Sequence, residues 1–145
     1  MSQFLQLFNS AGPAAFSKMA CQVAPYFSTI NPEVSELTPG HAVVLVPFRK
    51  EITNHLASVH AIALCNAAEL AGGVMTDVSI PAGAKWIPKG MTVEYLAKAK
   101  SDIRAVADGS AIDWASGGDQ VVPVDIFDEG GVKVFKARIT MNVKL

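Results

Sequence analysis

The chain carries too little charge of either sign to choose its partner by electrostatics. Only 17% of its residues are charged and the net charge is −1, so there is no basic surplus for non-specific nucleic-acid binding. Cysteine is scarce. Cys21 and Cys65 are the only two, and their spacing fits neither a disulfide framework nor a zinc site. The three histidines, His41, His55 and His60, lack regular ligand spacing, which argues against a catalytic metal. No basic N-terminal region precedes an apolar run, so the N-terminus does not read as a signal peptide. The apolar stretch at mid-chain is short for a membrane span and carries Glu69. Internal repeats and low-complexity runs are missing too. What these absences leave is a soluble cytoplasmic protein with no nucleic-acid or membrane partner.

What is present is apolar. Half of the 145 residues are hydrophobic, enough to exclude disorder and to fill the core of one domain. Its centre is the run Asn54 to Asp77, helical from about 58 to 76 and rich in alanine, the best helix former. Ser58 is the expected N-cap. Apolar residues surround this helix on every side, the pattern of a buried helix. Asn66 and Glu69 interrupt it, three apart and on one face. A carboxylate there is costly unless paired, protonated or used.

Around that helix the chain divides readily. Residues 1–27 read as two amphipathic helices with Phe4, Leu5, Leu7 and Phe8 on the first and Phe16, Met19, Ala20 and Val23 on the second. Pro13 suits the start of the second. Residues 28–41 are turn-rich, with Asn31-Pro32 and Pro39-Gly40 as breakers. Ala42 to Arg49 is a β-branched strand. After the helix comes a loop, Ile80 to Gly90, then strands Met91–Lys98 and Ser101–Ala107, close enough for a hairpin. Asp108 to Asp119 reads as a loop with a short helical turn. Val121–Phe127 and Val132–Val143 follow as strands joined by the turn at Asp128-Glu129-Gly130-Gly131. In the last strand Ala137, Ile139, Met141 and Val143 alternate with polar residues, but Val132 and Val134 have the other parity. A β-bulge near Val134-Phe135 would restore the phase. The whole is an α+β domain, an antiparallel sheet of five to six strands curled around one helix.

The run Asn54 to Glu69 resembles the hotdog-fold acyl-CoA thioesterases of the phenylacetate-operon type. That family's motif is an Asn, a His six residues later followed by two glycines, and an Asp or Glu nine residues past the His. Asn54, His60 and Glu69 stand at those spacings, and Tyr95-Leu96 and Lys98 look like the segment after the hotdog helix. The likeness extends from about Ala42 onward. The N-terminal helical region and the Pro- and Trp-containing loop are similar to an uncharacterised, thioesterase-like branch. The glycine pair is Ala61-Ile62 here, and a glycine three residues before the His is Ala57.

The resemblance implies a hotdog core over 42–145 with a helical cover over 1–27, in a single domain spanning 1–145. It also implies hydrolysis of an acyl-CoA thioester to free acid and coenzyme A, with no other cofactor. The first turn of a buried helix offers unpaired amides and the positive end of the macrodipole to a developing oxyanion. Val59 to Ala61 are the candidates, and the resemblance selects Ala61. Glu69 is the base or nucleophile. Asn54 orients the carbonyl or the loop, and His60 positions the helix start. Asn66, Ile62, Lys89 and Lys98 fall on the substrate side, the lysines toward the phosphates of coenzyme A. A homodimer with shared sites follows, with pairing into tetramers left open. The rival expectation is a non-catalytic acyl-CoA or fatty-acyl binding protein.

Overall fold

The computed structural model describes residues 2–145, with Met1 outside the described residues. Helix α1, Gln3–Ala11, starts at Ser2, whose hydroxyl accepts the Leu5 amide at 3.0 Å. Gly12 (φ 88°) turns the chain into α2, Pro13–Val23, with Pro13 in its first turn. Phe4 and Phe8 set their rings edge-on to buried Phe16, with centroids 5.9 and 5.5 Å away.

A short 3-10 turn, Pro25–Ile30, then leads into a strand where only turns were expected. This is β1, Glu33–Thr38, which pairs antiparallel with β2, His41–Val46. Ser17 anchors the N-terminal cover to β1, because its hydroxyl accepts the Val34 amide at 2.8 Å. The central helix α3 spans Ala61–Ser79, beginning and ending about three residues later than expected. Strands β3 (Lys85–Tyr95), β4 (Ile103–Asp108), β5 (Gly118–Asp128) and β6 (Lys133–Lys144) complete the sheet. Its spatial order is β1-β2-β4-β5-β6-β3, antiparallel throughout.

Two further expectations need correction. The segment from Lys85 is strand rather than loop. No hairpin joins β3 to β4, since β3 pairs with β6 at the sheet's far edge and β4 lies between β2 and β5. The expected bulge does occur. Ile126 opposes Phe135 and Phe127 opposes Lys133, so Val134 is the extra residue and both Val134 and Phe135 are buried.

Helix α3 lies on the curled face of the sheet, where small residues permit close approach. A Cβ on Gly72 would stand 3.1 Å from the Ile139 side chain and 3.5 Å from Val122 and Val124. At 19 residues, with mean hydropathy 1.2, α3 does reach the length and composition of a membrane span. Yet 67% of that window is buried inside the fold, the mark of a core helix.

Candidate active site

One side chain braces the loop before α3 beside its backbone bonds. Asn54 Oδ1 accepts from the amides of Leu56 (2.9 Å) and Ser58 (3.2 Å) and from the Ser58 hydroxyl (3.1 Å). Ser58 is therefore committed to this turn and is not the helix cap. The cap is His60, whose Nδ1 accepts the Ile62 amide at 3.0 Å. That bond requires Nδ1 to be unprotonated, which leaves the exposed Nε2 as the donor.

The three expected oxyanion donors separate clearly. The Val59 amide is spent on the Ala99 carbonyl and the His60 amide on the Ile52 carbonyl, both at 2.8 Å. Ala61 alone of the three keeps an amide with no partner among the described residues. It sits at the first position of a nineteen-residue helix, half-buried, where the macrodipole is most positive.

Glu69 lies two turns further along α3 and is half-buried, with no hydrogen bond or ion pair among the described residues. It makes no bond to Asn66, three residues away on the same face, whose Nδ2 donates instead to Thr29 Oγ1 at 3.1 Å. On the same side of α3, the Cys65 thiol meets the Tyr95 hydroxyl at 3.5 Å. This bond, and then burial, raises the Tyr95 phenol above its ordinary range. The sequence marked Cys65 only as one of two cysteines that form neither a disulfide framework nor a zinc site, although its spacing from Glu69 placed both on one helix face.

The other expected site residues scatter. Ile62 is 54% exposed at the helix start. Lys89, the extra residue of a second bulge in β3, bonds Asp119 at 2.8 Å. That contact first, and Asn142 second, hold the Asp119 carboxyl below its usual range. Lys98 is exposed, with no ion pair among the described residues. His41 meets Glu36 at 3.2 Å. Trp86 covers Gly73 and donates its indole N–H to Asp77 at 3.0 Å. No group of three metal-ligating side chains occurs among the described residues.

A cleft of about 940 Å³ opens between α2 and the ends of β2 and β4, lined by Ser17, Cys21, Leu45 and Arg104 among others. None of Asn54, His60, Ala61, Asn66 or Glu69 borders it. The helix start and Glu69 instead face the side of α3 next to β3, the uncovered edge of the sheet. That edge is apolar, with Ile87, Tyr95 and Leu96 62%, 54% and 49% exposed.

Residues 12–143 match the family model described as a domain of unknown function (DUF4442). The chain belongs to this family. It is 59% identical to a crystal structure described only as a genomics target, covering 98% of this chain and 96% of that one, with a TM-score of 0.90. A Pseudomonas aeruginosa protein of unknown function, described as a probable thioesterase, is 22% identical over 91% of this chain and 95% of its own, with a TM-score of 0.81. A thioesterase from Haemophilus influenzae is 18% identical over 81% of each chain, with a TM-score of 0.73. No curated protein sequence matches. The shared architecture makes this DUF4442 chain a hotdog fold.

Proposed function

We propose that this protein hydrolyses an acyl-CoA thioester to a free acid and coenzyme A, as a homodimer whose sites are shared between chains. The observation that carries the reading is the unpaired Ala61 amide at the head of α3, on the same helix as the uncommitted carboxylate of Glu69. The amide donates a hydrogen bond to the thioester carbonyl and stabilises the oxyanion as it forms. Glu69 takes a proton from the attacking water and returns it to the leaving coenzyme A thiolate; where it attacks the carbonyl carbon itself, the thiolate leaves first, and water then hydrolyses the mixed anhydride, freeing the acid, restoring Glu69 and supplying the thiolate's proton. Asn54 and His60 hold the loop and the cap that keep the Ala61 amide free. Lys98 meets a phosphate of coenzyme A, and Lys89 does so by exchanging its bond to Asp119.

The sharing follows from length. Ala61 and Glu69 are eight residues apart, about 12 Å along the helix axis, too far to serve one carbonyl. Two chains joined by a twofold axis at their β3 edges set one helix start beside the partner's carboxylate. An eleven-residue edge strand carrying exposed apolar side chains supports such pairing. The structural neighbours described as thioesterases lend support as well. In a Staphylococcus aureus neighbour, the glutamine and glutamate replaced by alanine stand fifteen positions apart, the separation of Asn54 and Glu69.

A panel of short, medium, long and aryl acyl-CoAs, assayed with a thiol reagent, tests the reading. Release of coenzyme A above background from one of them is the expected result; none at any chain length sinks it. Ile62, standing exposed where the motif of the thioesterases the sequence resembles has glycine, favours a second reading in which acyl-CoA is bound and not cleaved. In that case acyl-CoA raises the melting temperature with no product formed.

A further inference from the structure

We infer that Asn66 and Arg49 form a binding point for a hydroxyl group on the acyl chain, so that the substrate is a hydroxyacyl thioester. The thioester part rests on the reading above; the hydroxyl part rests on two buried, unpaired atoms. Both belong to side chains that already hold Thr29. Arg49 donates from Nη2 to the Thr29 carbonyl at 2.7 Å, and Asn66 donates from Nδ2 to the Thr29 hydroxyl at 3.1 Å. Their remaining polar atoms, Arg49 Nε and Asn66 Oδ1, are buried and have no partner among the described residues.

The orientation of the Asn66 amide is fixed by its neighbour. The Thr29 hydroxyl has one proton and gives it to the Tyr26 carbonyl at 2.8 Å. It can therefore only accept from Asn66, and turning the amide over would set two acceptors against each other. Oδ1 is thus an acceptor that lacks a donor, on a residue 6% exposed. Arg49 Nε–H is a donor that lacks an acceptor, because Nη2 serves Thr29 and Nη1 stands 3.7 Å from Glu51. Buried polar groups are rarely left this way, since an unmade hydrogen bond keeps the full cost of desolvation.

The missing group is defined by its chemistry. It must accept from a guanidinium N–H and donate to an amide oxygen. A hydroxyl does both. A carboxylate would satisfy Arg49 but oppose Oδ1, and an ammonium would do the reverse. Asn66 precedes Glu69 by one helical turn, about 4.5 Å along the axis. A hydroxyl bound there is a few bonds from a carbonyl at Glu69, on the second or third carbon of the acyl chain.

The competing occupant is a buried water, and matched substrates separate the two. Octanoyl-CoA, 2-hydroxyoctanoyl-CoA and 3-hydroxyoctanoyl-CoA, with their butanoyl counterparts, are compared by kcat/KM and by calorimetric binding to Glu69→Gln. One hydroxylated isomer should be preferred by about tenfold or more, because a site built for a hydroxyl rejects the analogue without it. The preference should vanish in Asn66→Leu and shrink in Arg49→Lys, which keeps the charge but lacks Nε–H. Arg49→Lys decides the matter should Asn66→Leu fail to fold. Hydrolysis of plain and hydroxylated chains at equal rates overturns the inference, leaving water as the occupant and the hydrolase standing. Preferential binding of a hydroxyacyl-CoA without turnover supports the inference and removes the hydrolase. A preference that survives in both variants also overturns it.

Discussion

The Nδ1 of His60 accepts the amide of Ile62 at 3.0 Å, passing over Ala61, whose own amide stays open. A histidine here acts as a helix cap, a task more often given to serine, threonine, aspartate or asparagine. His60→Ala should therefore destabilise the fold by about 1 kcal/mol. His60→Asn should recover most of that loss, because it restores an acceptor at the cap. Urea unfolding of the three proteins checks both values. A His60→Ala variant as stable as wild type would show that the cap contributes nothing.

Ala57 has φ 58°, left-handed backbone that disfavours a Cβ. The strain serves the tight loop that Asn54 closes, and glycine occupies this place in the thioesterases the sequence resembles. Ala57→Gly relieves roughly 1–2 kcal/mol of local strain and gives back about 0.5–1 kcal/mol through the looser unfolded chain. The balance is a gain of about 0.5–1 kcal/mol, or about 2 °C for a chain of this size. Thermal unfolding reads it directly, and a lower melting temperature contradicts it.

These two positions show how far the sequence could be read. The spacing of Asn54, His60 and Glu69 was legible, and so were α3, the paired N-terminal helices and the alternation of β6. Which amide remains free was not, because it depends on bonds from Val59 to Ala99 and from His60 to Ile52 that only the folded chain brings together. Strand β1 was hidden by its own irregularity. A register shift between Val34 and Glu36 lets Val34 and Leu37, three apart, both face the core, so the usual alternation fails. The start of β3 was hidden by Pro88 and Gly90, which an edge strand tolerates and a central one does not. The assumed hairpin failed because adjacent segments need not pair, and β3 crosses to the far edge.

Met91 on that edge is 38% exposed and lies opposite buried Ile139. Met91→Glu places a charge where the proposed partner chain would pack, which disfavours pairing through desolvation. The variant should sediment as a monomer and lose thioesterase activity, while its circular dichroism spectrum stays that of a folded protein. A fully active monomer would refute the shared site, and an unchanged dimer would move the interface elsewhere.

The shared site itself has a direct test in two variants that should each be nearly inactive. Glu69→Gln removes the base or nucleophile and keeps the shape. Ala61→Pro removes the amide donor at the first helical position, where proline is tolerated. The residue before it, His60, already has the extended backbone a following proline demands (φ −61°, ψ 139°). Loss of one such donor typically costs on the order of a hundredfold or more in rate. Unfolding the two variants together and refolding them makes mixed dimers. In each mixed dimer one site pairs the intact amide of one chain with the intact carboxylate of the other, and the second site has neither. Random pairing makes half of the dimers mixed, with one good site of two, so activity should return to roughly a quarter of wild type. Two folded, inactive variants whose refolded mixture is no more active than either alone would leave Ala61 and Glu69 unable to act across a twofold axis.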